Sequence, residues 1–134
     1  MKMHTAFLLV LMSLQLNLMA QRTFEMKEGD TTFVMKEYFL CHLYRGDQAH
    51  EFNEEELEAI QSGHLNHINT LANEGKIAIA GPMGDDDELR GIIIFHTESL
   101  EEAIALQEKD PAIKAGRLRM EIRPWWGAVG SKLP

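Results

Sequence analysis

From Lys36 to Tyr44 the chain is rich in aromatic and aliphatic side chains, and Tyr38-Phe39-Leu40-Cys41-His42-Leu43-Tyr44 is apolar at both parities. A strand solvated on one side alternates, so this segment predicts a strand covered on both faces. Arg45-Gly46-Asp47 ends it, and a turn after a strand needs these residue types without any adhesive role. The period then becomes that of a helix. Leu57, Ile60, His64, Ile68 and Leu71 recur three and four apart within Phe52 to Asn73, behind Asn53 as N-cap and an acidic first turn of Glu54, Glu55 and Glu56. Glu74-Gly75 closes the helix, with glycine where a left-handed backbone is favoured. Ile77-Ala78-Ile79-Ala80 predicts a second strand stopped by Gly81-Pro82, Met83 to Glu88 an acidic turn, and Leu89 to Thr97 a third strand.

Ser99 starts a second helix, with Glu102 three residues later in the pattern of a capping box and with Ala103, Ile104 and Leu106 as inner residues. Asp110-Pro111 breaks this helix, and Pro111 opens a short turn over Ala112 to Ala115 that Gly116 ends. Leu118, Met120 and Ile122 alternate with Arg117, Arg119, Glu121 and Arg123, which predicts a half-buried last strand. The order βαββαβ is that of a ferredoxin-like α+β domain, an antiparallel four-stranded sheet with two helices on one face. Two helices cover only one face. The first strand is apolar on both, so a homodimer packed sheet to sheet is expected to cover the other.

The ends of the chain read differently. Lys2, the apolar run from Ala6 to Met12 and its continuation to Ala20 have the architecture of a cleaved signal peptide over residues 1–20, short for a membrane span of about 20 apolar residues. Export to the periplasm or the exterior is therefore expected, with no membrane association after cleavage. Residues 21–35 form an N-terminal extension, with a short strand expected near Phe33 to Met35, residues 36–126 the domain, and residues 127–134 a tail. All 21 acidic residues follow the leader, against 12 of the 13 basic ones, which leaves the mature chain at −9. That charge argues against nucleic acid and anionic membrane as partners. The single cysteine, Cys41, allows no intramolecular disulfide and sits in an apolar run, where a thiol packs as a small hydrophobe.

His64 stands on the apolar stripe of the first helix, where a leucine would be ordinary. A buried imidazole needs a hydrogen-bond partner or costs about 1–3 kcal/mol. By position alone it reads as a satisfied core histidine. Asp110, before Pro111, reads locally as the cap of the following turn. His67 can share the face of His64, but the three-residue spacing differs from that of a zincin helix and no third ligand is defined, so it reads as a rim residue and no metal is expected. Asp85-Asp86-Asp87-Glu88 lacks the glycine-centred loop of a calcium site and reads as a solvated tip. At the other end of the domain, one of Trp125 and Trp126 is expected in the core or at a subunit contact.

In this order and spacing, His64-Leu65, Leu71, Glu74-Gly75, Gly81-Pro82, Lys109-Asp110-Pro111-Ala112-Ile113-Lys114-Ala115-Gly116 and Arg123-Pro124-Trp125-Trp126 resemble the YCII-like family of the dimeric α+β barrel group, over Lys36 to Trp126. The resemblance implies that His64 and Asp110 are the family's catalytic pair. Asp110 would fix the tautomer of His64 for proton abstraction or donation. The expected site is a cleft bordered by Gly81, Pro82 and first-strand residues such as Tyr38, Leu40 or His42. Related barrels include muconolactone isomerase, and the family includes a dehydrochlorinase acting on chlorinated hydroquinones. The implied function is therefore a small-molecule enzyme of isomerase or lyase type without a cofactor. The alternative is a non-catalytic dimeric module that binds a small ligand.

Overall fold

A computed structural model describes residues 22–134; the leader expected over residues 1–20 lies outside the described residues. The elements run β1 Thr23–Glu28, β2 Thr31–Arg45, α1 Glu54–Asn73, β3 Ile77–Pro82, β4 Leu89–Phe95, α2 Leu100–Gln107, α3 Pro111–Lys114 and β5 Leu118–Ala128. β5, β2, β4 and β3 neighbour one another in that order, all antiparallel, in a ferredoxin-like α+β sheet. The N-terminal extension adds a fifth strand. β1 folds back on the start of β2 as a hairpin, pairing Thr23 with Lys36 and Glu28 with Thr31. Odd-numbered residues of β2 turn their backbone groups to β1 and β4, as Glu37 N–H to Arg22 O (3.0 Å) and Arg45 N–H to Glu88 O (2.8 Å) show. On the opposite edge Val129 N–H reaches Val34 O at 2.8 Å. β1 and β4 therefore follow each other along one edge of the long strand, and β5 runs along the other.

Parity decides the core. Phe39, Cys41 and Leu43 of β2 align with Ile93 and Phe95 of β4 and pack with Ile77, Leu71 of α1 and Ala103 of α2. Cys41, Ile93, Phe95 and Ala103 are fully buried. Even-numbered residues of β2 face away from the helices, with Ile92 and Ile94 of β4 and Trp125 of β5. On this outer face Leu40, Ile92 and Ile94 are only half-buried in the single chain, and Trp125 is exposed.

Caps fix the helix ends. Asn53 Oδ1 accepts from Glu56 N–H at 2.9 Å while Glu56 Oε2 accepts from Asn53 N–H at 2.9 Å, a complete capping box. The box expected at Ser99 is half formed. Ser99 Oγ accepts from Glu102 N–H at 3.1 Å, but the Glu102 carboxylate takes the N–H of Glu98 (3.0 Å) and pairs with Lys76 (2.5 Å). That ion pair draws Glu102 toward β3. α1 buries only His64 and Leu71; Leu57 and Ile68 stay partly exposed because they line a cleft, and Ile60 is partly exposed as well.

Candidate functional site

α1 and α3 bring two buried polar side chains together. His64 Nδ1 lies 2.6 Å from Asp110 Oδ2, with His64 at 9% exposure and Asp110 at 0%. The approach depends on Gly63. A Cβ there would sit 2.9 Å from Cγ of Pro111, tighter than packed carbon allows, so glycine lets α1 lie against the proline that opens α3. Asp110 is the N-cap of α3, and its Oδ1 accepts from Ala112 N–H at 2.8 Å. Capping and imidazole binding use different oxygens of one carboxylate, so the two contacts of Asp110 are compatible.

A third member was not among the residues the sequence singled out. Gln107, fully buried at the end of α2, donates from Nε2 to Asp110 Oδ2 at 2.8 Å. Its signal was a polar residue four after Ala103 on the inner face of the helix. Asp110 thus accepts three hydrogen bonds in a water-poor setting, where each is worth more than at the surface. Because the carboxylate accepts at Nδ1, the proton of neutral His64 resides there and Nε2 carries the lone pair. Nε2 has no hydrogen-bond partner among the described residues.

His64 borders a cleft of about 540 Å³ beneath α1, lined by that helix from Leu57 to Asn69. Gly81 and Pro82 form part of its wall, together with Leu43, Leu57, Ile68 and Ile93. Tyr38 and His42, expected at this border, are not brought to it. Both are even-numbered in β2 and point to the outer face, as Leu40 does. Tyr38 there lies near Trp125 and His96 (ring centroids 6.2 and 5.8 Å), and His42 stacks on Tyr44 at 6.1 Å. Because β2 is apolar at both parities, its sequence did not say which parity meets the helices.

Other titratable groups have structural explanations. His67 donates from Nε2 to Leu106 O at 3.0 Å, tying α1 to α2 instead of marking the rim. Burial, helped by the Asp110 carboxylate, pushes the Cys41 thiol up to about 12, the chemistry of an inert thiol. Lys36 and His96 meet on the outer face through Nζ and Nε2. Burial holds Lys36 below its ordinary value; burial and then the Lys36 charge do the same for His96. Trp126 packs on Phe24 of β1 at 4.9 Å. Among the described residues no three His, Cys, Asp or Glu side chains are arranged to hold a metal ion, and no helix is long and apolar enough to cross a membrane.

Residues 38–126 match the YCII-related domain family. No curated protein matches the chain. Among solved structures, the chain is similar to 5-chloro-2-hydroxyhydroquinone dehydrochlorinase from Burkholderia phenoliruptrix AC1100 in complex with 2,5-dihydroxybenzoquinone. The identity is 26%, over 64% of this chain and 92% of that one, with a TM-score of 0.41.

Proposed function

The chain belongs to the YCII-related domain family, and from that premise we propose that it is an exported, homodimeric enzyme that moves a proton on a small cyclic or aromatic compound. His64 is the general acid/base and Asp110 its orienting partner. The observation that carries this reading is the 2.6 Å contact between Asp110 and Nδ1 of a histidine whose Nε2 is left without a protein partner beside the cleft. Gln107 and the N–H of Ala112 hold the carboxylate still, so the imidazole is oriented before any ligand enters.

In the proposed step Nε2 takes a proton from the substrate, and the electron pair of the broken bond stays with the substrate. In an isomerisation the same proton returns at another atom. In an elimination the electron pair forms a double bond as the leaving group departs with its own pair, and the proton on Nε2 passes to water. Neither route changes an oxidation state of the protein or needs a cofactor. Export rests on the character of residues 1–20, and dimerisation on the half-exposed apolar outer face.

The test is hydrogen exchange between substrate and solvent. Candidate cyclic C–H acids and chlorinated hydroquinones are incubated with the chain in D2O and followed by proton NMR. Wild type is expected to exchange or convert at least one, and His64→Gln to do so about 10²–10⁴-fold more slowly with its fold intact. Equal rates in the two proteins would overturn the catalytic role. Ligands that raise the melting temperature without any exchange would leave the chain a non-catalytic binding module.

A further inference from the structure

We propose that the cleft beside His64 takes small organic anions, and that Arg117 is the charge partner that selects them. This rests on the reading of the same cleft as the functional site. The chain is acidic, with a formal charge of −8, yet the cleft is lined by Arg45, Arg90 and Arg117 and by no aspartate or glutamate. A field of that sign inside an acidic protein is local. Charges beyond about 10 Å are screened at ordinary ionic strength, so the lining outweighs the distant surface for a bound ligand.

The three arginines are not equivalent. Arg45 pairs with Asp86 at 2.9 Å and with Glu88 at 3.6 Å, and Arg90 lies 3.5 Å from Asp86 and donates to the carbonyls of Asp85 and Asp87. The acidic turn between β3 and β4 therefore occupies both. Arg117 has no carboxylate partner among the described residues. Its Nη1 donates to Gln61 Oε1 at 3.1 Å, a neutral acceptor that orients the guanidinium and leaves its charge uncompensated. Gln61 precedes His64 by three residues on α1, so the side chain that steers Arg117 is a helical neighbour of the imidazole.

The backbone around Arg117 is built for this placement. Gly46 N–H donates to Arg117 O at 2.8 Å, and Gln48 N–H donates to Gly116 O at 3.1 Å. A Cβ at Gly46 would lie 2.1 Å from Gly116 O, so only glycine lets the loop after β2 press against the turn that presents Arg117. The Arg45-Gly46-Asp47 triplet is thus explained inside the protein: Arg45 lines the cleft, and Gly46 provides the close approach. The apolar walls suit a ring carrying a carboxylate or an ionised hydroxyl, and Arg117 supplies the forked donor that such a group prefers.

The experiment compares 4-hydroxybenzoate with its neutral isostere 4-hydroxybenzamide by titration calorimetry on the intact chain. The anion is expected to bind about tenfold more tightly, the difference shrinking as salt rises. Arg117→Gln should abolish the preference, and Arg117→Lys should keep part of it. Arg119→Gln, the same charge change at an exposed position of β5 against Tyr44, should leave it intact. Equal affinities, no binding of either compound at millimolar concentration, or an unchanged preference in Arg117→Gln would overturn the proposal. His64→Gln separates the two readings. Anion preference retained in that variant, with no proton exchange in wild type, sinks the catalytic reading and keeps this one; exchange lost in that variant, with preference insensitive to Arg117, does the reverse.

Discussion

The two faces of the sheet are made from alternate residues of the same strands, yet they differ in how they hold their charged groups. On the helix face the one buried acid, Asp110, has three donors, and they lie on three helices: His64 on α1, Gln107 on α2 and Ala112 on α3. On the outer face His42 has a buried Nδ1 with no partner, and Lys36 meets an imidazole instead of a carboxylate. The helix face also leaves a buried polar atom idle, Gln107 Oε1, but its charged group is fully engaged within one chain. The outer face, with half-buried isoleucines and an exposed Trp125, is one that a second surface would complete. We propose chemistry on the first and self-association on the second.

The strongest way to break this contrast is to delete one polar group from each face. Asp110→Ala leaves three donors without an acceptor and should cost about 3–5 kcal/mol in urea denaturation. His42→Leu removes an atom that is already unsatisfied and should cost nothing, or stabilise. Similar losses in both variants would show that the faces do not differ in this way.

Adjacent isoleucines give the next largest effect. Ile93 is fully buried under the helices, and Ile93→Ala should cost about 2–4 kcal/mol. Ile94 is half-buried on the outer face, and Ile94→Ala should cost under about 1 kcal/mol in a dilute single chain. If a second copy covers this face, the Ile94 variant should also shift the monomer–dimer balance in sedimentation while Ile93→Ala does not.

Gly63→Ala tests how the helix face is assembled. The added methyl meets the Pro111 ring at 2.9 Å, an overpacking cost of about 1–3 kcal/mol that must be relieved by parting α1 from α3. The separation should show as a shifted His64 imidazole signal in NMR, in addition to a lower melting temperature.

The smallest effect is a pH dependence from the outer face. His96 is held below its ordinary value of 6.5 by burial and then by Lys36, so the unfolded chain binds the proton more readily than the folded one. Its contribution is present above pH 6.5 and is lost as pH falls through the lowered value. Melting temperature should therefore drop more gently below pH 6.5 in His96→Gln than in wild type. Identical acid limbs would remove Lys36 and His96 from the account.

What the sequence determined by itself was local or periodic: the helix caps at Asn53 and Ser99, His64 on an apolar stripe and Asp110 ahead of a proline; Gly81-Pro82, expected to stop β3, is instead paired within it. These signals depend on neighbours within a turn or two of chain, so they survive without knowledge of the fold. Tertiary structure decided the rest. β2 is apolar at both parities, and only its pairing with β4 and β5 turned Tyr38 and His42 away from the cleft. The mixed polarity of residues 21–35 carried no strong period, and pairing along the free edge of β2 made a hairpin strand of Thr23–Glu28. Gln107 and Arg117 have ordinary sequence surroundings. They gain their roles from contacts with Asp110 and Gln61, and the Arg117 contact spans more than fifty residues of chain, a distance over which no short pattern carries information.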